Sequence, residues 1–246
     1  MDNKKSNVVD RTLVIIPAFN EEEAIGDVLE ALRPANGLDV LVVDDGSRDG
    51  TADVARRFGV LVANLPFNLG VGGALRTGFR YAVRYGYARA IQFDADGQHE
   101  PSQISSLIKA LDAGADLVIG SRFAHAENTY TVSRVRSGAM RLLRLTFMIL
   151  SGHRFTDTSS GFRGFSREML EFFAQKYPVE YMDSTESLLL ACYAGFEVVE
   201  VPALMKDRQA GTPSTRNLHL IYHYLRLMVV VLSSMSLKGR RLRTQA

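Results

Sequence analysis

Apolar residues along the first half of the chain come in short blocks, each closed by a polar cluster. Thr12–Ile16 is β-branched and apolar and ends at Pro17, which predicts a buried strand. Asn20–Glu23 then opens a helix, with Asn20 as its cap and the acidic residues in the first turn, where the macrodipole favours them. Ile25, Val28, Leu29 and Leu32 follow at helical spacing. Val40–Val43 predicts a second strand, ended by Asp44, Asp45, Gly46 and Ser47, and a helix follows from Gly50 through Ala52, Val54, Ala55 and Phe58. Val60–Ala63 is a third strand, Gly70–Tyr85 a helix with a glycine-rich start, and Ala90–Phe93 a fourth strand. Pro101–Leu111 is a further helix and Leu117–Ile119 a further strand. Strands alternating with helices predict an α/β fold, a mostly parallel Rossmann-like sheet covered by helices on both faces. Ligands of such sheets bind beyond the carboxyl ends of the strands. The polar clusters Pro17–Glu21, Asp44–Ser47, Asp94–Gln98 and Gly120–Arg122 fall at those ends.

Beyond Arg122 the texture changes. Ala124–Thr131 is a polar loop, and Arg136–Leu150 is helical, with basic residues among its apolar ones. Phe155–Phe165 reads as a Ser/Gly loop, Glu168–Phe173 begins a helix, Thr185–Ala194 is another, and Glu197–Val201 is a strand stopped by Pro202. Lys206–Asn217 is turn-rich and is expected to be a mobile loop. Leu218–Leu237 is apolar but holds His219, His223 and Arg226. Its uninterrupted part, Leu227–Leu232, is far shorter than the ~20 residues that span a bilayer. The basic residues Lys238–Arg243 follow directly, so this extension is either an interfacial helix or a core-packing helix with a solvated tail. The expected division is a flexible N-terminus over 1–11, a catalytic domain over 12–217 and a C-terminal amphipathic helix with its tail over 218–246. Within the domain, 12–123 is the donor-binding half and 124–217 the acceptor half with the mobile loop.

Composition narrows the choices. The 246 residues, 46% of them hydrophobic, suit one large α/β domain or one domain with a modest appendage. A net charge of +2 gives no global field for nucleic acid. The lone cysteine, Cys192, excludes an internal disulfide, and its helical surroundings predict a buried thiol. The polar start, Met1–Ser6, lacks the apolar core of a signal peptide, and a cytoplasmic location is expected.

The most telling feature is Asp94-Ala-Asp96 at the end of the fourth strand. Alone it reads more readily as a solvated turn than as a site for a hard divalent cation, which takes one or two carboxylates and completes its shell with phosphate oxygens. Gly70-Val-Gly72-Gly73 is not a dinucleotide fingerprint, because Leu75 stands where the third glycine belongs. Gly70 either starts a helix packed tightly on the sheet or contacts a ligand directly.

Pro17-Ala-Phe-Asn-Glu21, Val43-Asp-Asp-Gly-Ser47 with Asp49 and Thr51, Asn68-Leu-Gly70 with Gly72 and Ala74, Asp94-Ala-Asp96 and Gly120-Ser-Arg122 occur in that order. Together they resemble a family-2 glycosyltransferase of the GT-A fold. Gln98-His99 with Pro101, Asp157–Arg163, Glu200-Val-Pro202, and Arg208 with Gly211 and Ser214 are similar to the branch of dolichyl-phosphate mannose synthases and bacterial polyprenyl-phosphate sugar transferases. The resemblance implies a UDP- or GDP-linked sugar held by Pro17, Ala18, Asn20, Glu21, Asp44, Asp45, Gly70 and Arg208. It implies Mg²⁺ or Mn²⁺ at Asp94, Asp96 and Gln98, with Asp94, Asp96 and Arg122 as the catalytic residues. It places Arg122, Arg134 and Arg136 on the phosphate of a polyprenyl acceptor. Carboxylates suit base N–H groups and ribose hydroxyls, and Arg suits phosphate. Helix capping by Asn20 and Glu21 is compatible with donor contact. Arg163 either supports the site or pairs with an acidic residue.

Two departures touch the acceptor side. The loop Thr212–Thr215 lacks the lysine of related synthases, and Asp183–Leu188 lacks the acidic motif of enzymes with hydroxyl acceptors. Glu186 is then a first-turn helix acid in preference to a general base. The expected activity is a metal-dependent inverting transfer of a sugar to polyprenyl phosphate, by an enzyme peripheral on the inner face of the membrane. It touches the bilayer surface or a small membrane-protein partner, and no nucleic acid. A same-fold transferase with a hydroxyl acceptor is the alternative. A non-catalytic nucleotide-sugar-binding scaffold is a third reading, against which the complete Asp-x-Asp argues.

Overall fold

The computed structural model of the chain describes residues 9–33, 37–124, 145, 147–149, 151–178 and 183–205. The chain divides into two compact units, Met1–Thr129 with Thr156–Gly211, and Tyr130–Phe155 with Thr212–Ala246. The first unit carries the sheet. In the second, Leu145, Phe147–Ile149 and Ser151 are helical, and residues 136–144 of the helix expected over Arg136–Leu150 lie outside the described residues. Among the described residues no helix is long and apolar enough to cross a membrane.

Among the described residues seven strands form one sheet: β1 (Val9–Ala18), β2 (Leu38–Asp44), β3 (Leu61–Asn64), β4 (Tyr87–Gln92), β5 (Leu117–Ser121), β6 (Arg163–Ser166) and β7 (Val198–Pro202). Their order is β3-β2-β1-β4-β6-β5-β7. The pairs β1–β2, β1–β4, β2–β3 and β5–β7 are parallel, whereas β6 runs antiparallel to both β4 and β5. The helices are α1 (Ile25–Leu32), α2 (Thr51–Arg57), α3 (Val71–Arg84), α4 (Ile104–Asp112, led by a 3₁₀ turn over Pro101–Gln103), α5 (Arg167–Lys176) and α6 (Asp183–Ala194).

Leu13, Val14, Ile15 and Ile16 are all fully buried, as a strand covered on both faces requires. Val14 and Ile16 join Val42, Ile91 and Val118 in a core closed by Ile25 and Leu29 of α1, Ala55 of α2 and Leu107 of α4. On the opposite face α3 packs on the sheet and on α5. Its Phe79 meets Phe165 of β6 at 4.8 Å, Tyr177 at 5.1 Å and Phe173 of α5 at 5.9 Å between ring centroids.

Two expectations are corrected. Helix α1 starts at Ile25, after Ala24 and without a side-chain cap. Asn20 stands outside it at φ 55°, a left-handed conformation that Asn tolerates, and its Oδ1 accepts the N–H of Arg48 at 2.9 Å. The expected loop over Phe155–Phe165 ends in β6. Arg163 and Gly164 have little preference for a strand. The ladders on both sides, Gly164 opposite Ile91 and Val118, impose one.

Phe79 is fully buried among three rings. Phe79→Ala is expected to lower unfolding free energy by about 3–5 kcal/mol, read from urea transitions followed by circular dichroism. A loss below about 1 kcal/mol would show that the α3–α5 cluster is not the core of this face.

Candidate functional site

The loops beyond β1 and β2 are fastened to each other by side chains. The N–H groups of Asn20, Glu21 and Glu22 donate to Ser47 Oγ (2.9 Å), Thr51 Oγ1 (2.8 Å) and Asp49 Oδ2 (3.2 Å). In return Arg48 and Gly50 donate their N–H groups to Asn20 Oδ1 and Glu22 Oε2, each at 2.9 Å. Pro17 and Ala18 lie in register with Val43 and Asp44, so the two polar clusters emerge side by side.

Asp44 accepts the Ser47 N–H at 3.2 Å, and Asp45 accepts the Leu69 N–H at 2.7 Å. Both carboxylates are buried. Burial raises the Asp45 carboxyl above its ordinary value; the N–H groups of Leu69 and Gly70 oppose this, and the neighbouring Asp44 charge adds to it. Gly46, at φ 73°, sits so close to the β3–α3 loop that a Cβ there would lie 2.8 Å from the Phe67 carbonyl carbon. Gly70 immediately precedes α3 as its N-cap and donates its N–H to Asn68 Oδ1 at 2.9 Å. Of the residues expected to meet the donor, Pro17, Ala18, Asn20, Glu21, Asp44, Asp45 and Gly70 therefore gather at one edge, and Asn20, Asp44 and Asp45 also hold that edge in shape.

Beyond β4 the two aspartates face different partners. Asp96 is buried, and its Oδ1 accepts the Gln98 N–H at 3.1 Å. It lines a cleft of about 180 Å³ with Glu23, Asp27 and Glu100. Asp94 has Oδ2 3.1 Å from Nε2 of His99, which lines the same cleft, and Oδ1 3.4 Å from Gln92 Nε2. Burial raises the Asp94 carboxyl, but the His99 hydrogen bond and charge, Gln92 and the Arg122 charge bring it below the usual carboxylate value. Among the described residues no three acidic, His or Cys side chains converge to enclose a cation unaided. Two hard carboxylates one residue apart nevertheless fit Mg²⁺ or Mn²⁺, which draws further ligands from water and phosphate.

The end of β5 meets the segment 156–162. Arg122 grips Asp157 with both prongs, Nε to Oδ2 at 2.6 Å and Nη2 to Oδ1 at 2.8 Å, and Nη2 also reaches Ser159 Oγ at 2.8 Å. Burial would raise the Asp157 carboxyl, but the bonds and charge of Arg122, with the Ser159 N–H, hold it below its usual value. Glu200 of β7 accepts the N–H groups of Thr156 and Asp157 at 2.8–2.9 Å. Arg163 is fully buried and donates to the carbonyls of Ser160 and Thr158 and to Ser187 Oγ, so it supports this segment from behind.

Arg134, Arg136 and Arg208 lie outside the described residues. Glu186 sits in the first turn of α6. Cys192 is half-buried in the same helix, and burial pushes its thiol up to about 11, which suits an inert packing residue. Asp157, Glu200 and His99 carry interactions that sequence reasoning assigned to no role. Their only signal was membership of the second set of motifs.

Residues 13–173 match the family model described as Glycosyl transferase family 2. The polyprenol monophosphomannose synthase of Mycolicibacterium smegmatis is 36% identical over 82% of this chain and 79% of its own. The UDP-N-acetylglucosamine--dolichyl-phosphate N-acetylglucosaminyltransferase of Methanococcus voltae is 31% identical over 77% of this chain and 83% of its own. Among solved structures, glucosyl-3-phosphoglycerate synthase from Mycobacterium tuberculosis in complex with Mn²⁺, UDP and phosphoglyceric acid superposes with a TM-score of 0.70. It is 22% identical and is matched over 92% of this chain and 78% of that one. That likeness fixes the fold as GT-A. The chain belongs to glycosyl transferase family 2 and is a glycosyltransferase.

Proposed function

We propose that the protein moves a sugar from a nucleoside diphosphate to a polyprenyl phosphate, with inversion at the anomeric carbon. The observation that carries this reading is the similarity over more than three-quarters of the chain to transferases named for polyprenyl or dolichyl phosphate. The strand-end geometry supports it, because Asp44, Asp45, Asp94 and Asp96 all lie at the carboxyl edge of one sheet, where a phosphorylated ligand binds.

In this reading Pro17, Ala18, Asn20, Glu21, Asp44, Asp45 and Gly70 receive the nucleoside, with Arg208 on the same ligand. Asp96, with Asp94 and Gln98, would hold Mg²⁺ or Mn²⁺, which as a Lewis acid neutralises charge on a departing diphosphate. The acceptor phosphate oxygen is already anionic near neutral pH, so no strong general base is needed. That oxygen forms its bond to the anomeric carbon from one side while the bond to the diphosphate breaks on the other. Arg122, Arg134 and Arg136 orient the acceptor phosphate by charge-assisted hydrogen bonds. The fork of Arg122 already rests on Asp157, so its contribution is a fixed guanidinium that a phosphate shares with that carboxylate. Such an acceptor requires the enzyme to work at a membrane surface, and the inner face suits a cytoplasmic donor. Residues 12–123 serve the donor, 124–217 the acceptor, and 218–246 the contact with bilayer or partner.

Incubation with a panel of radiolabelled nucleotide sugars, Mg²⁺ or Mn²⁺ and a short polyprenyl phosphate is expected to put label into the organic phase. Label only on water-soluble glycans would replace this reading with transfer to a hydroxyl. Asp96→Ala is expected to lower the rate of transfer at least about 100-fold, on the scale of losing one preorganised electrostatic contact. Undiminished transfer by that variant in the same assay would remove Asp96 from the mechanism.

A further inference from the structure

The imidazole of His99 is 1% exposed, yet it reaches the edge of the candidate site. It stacks on Phe162 at 5.0 Å with ring planes 23° apart, and meets Phe93 edge-on at 5.4 Å. Both phenyl rings are themselves fully buried, so the imidazole is held in one plane. Its Nε2 lies 3.1 Å from Asp94 Oδ2, and an ionised carboxylate only accepts, so the N–H belongs to His99. Nδ1 is buried without a hydrogen-bond partner among the described residues. The bond to Asp94 is therefore the single polar contact of this ring there.

The other side of the same carboxylate is also fixed. A Cβ at Gly161 would overlap Asp94 Oδ2 and lie 2.9 Å from Oδ1. Gly161 and Phe162 are adjacent, so one segment supplies both the wall against the carboxylate and the plate under the imidazole. That segment is anchored upstream by the Arg122–Asp157 pair and by Glu200. Asp94 thus has little freedom to turn about its side-chain bonds.

We propose that His99 is a positioning residue for Asp94. Its N–H and its aromatic sandwich hold the carboxylate in the orientation that metal and diphosphate binding use, with Gly161 as the opposing wall. The inference rests on the reading that Asp94 serves a metal–diphosphate site. Partners that orient metal-binding carboxylates are commonly worth 10–100-fold in affinity or activity.

The test is Mn²⁺ binding, followed by the electron paramagnetic resonance signal of free Mn²⁺, at saturating UDP and in parallel at saturating GDP. His99→Phe keeps a flat ring between Phe93 and Phe162 and removes the donor. It is expected to weaken Mn²⁺ binding about 10–100-fold and to lower kcat comparably, with the thermal midpoint little changed. His99→Gln restores an N–H near the Nε2 position and is expected to recover part of both losses. Gly161→Ala, which forces the carboxylate aside without touching the imidazole, is expected to reproduce the loss, and it carries the test if His99→Phe does not fold. Wild-type Mn²⁺ affinity and kcat in both His99→Phe and Gly161→Ala would overturn the positioning role. Failure of the wild-type protein to bind Mn²⁺ with either nucleotide would instead overturn the metal reading, and the role of His99 with it.

Discussion

The pair of Arg122 and Asp157 is the interaction on which the arrangement of the site's β4 and β5 side depends. It ties the end of β5 to the segment that turns back into β6. Both prongs of the guanidinium are used, and the carboxylate is wholly excluded from water. Removing one partner of such a pair leaves an uncompensated buried charge, typically at a cost of about 3–5 kcal/mol. The gain is geometric. With Asp157 held, Glu200 satisfies the N–H groups beside it, and Gly161 and Phe162 arrive against Asp94 and His99.

The same economy governs the other loops. A parallel sheet leaves the backbone N–H groups of its strand-end connections outside any ladder, and each needs an acceptor from protein or water. Here Asn20, Glu22, Asp44, Asp45 and Asp49 supply those acceptors. Most of these residues are also the ones expected to meet the nucleoside. Structural fastening and ligand recognition are therefore not competing explanations at this edge. A loop fastened by its own polar side chains presents the remaining polar atoms in a fixed arrangement, which lowers the ordering cost of binding.

Much of the fold was legible because it is written in local patterns. The apolar blocks ending at Ile16, Val43 and Phe93 announce strands, and Ile25, Val28, Leu29 and Leu32 announce one buried helix face. The structure buries all of these residues except Val40, which is half-buried. The start of α1 was misplaced because a run of Asn and Glu looks like a helix cap. Those side chains instead bond to residues 48 and 50, a pairing no local pattern specifies. Strand β6 was missed for a related reason: Arg163, Gly164 and Phe165 become a strand only because β4 and β5 leave a gap between them.

The sequence by itself determined the alternation of strands and helices, the family motifs and the chemical character of the strand ends, since each depends on residue type and short-range spacing. Tertiary structure alone decided what each charged group does there. It turned Asp96 toward a cleft and Asp94 toward His99, and it placed the fork of Arg122 on Asp157. It also sank Arg163 beneath the segment it supports. The physical reason is that a side chain's partners at a strand end come from loops far away in sequence. Their distance and burial, more than residue type, set whether a charge binds a ligand, a neighbour or both.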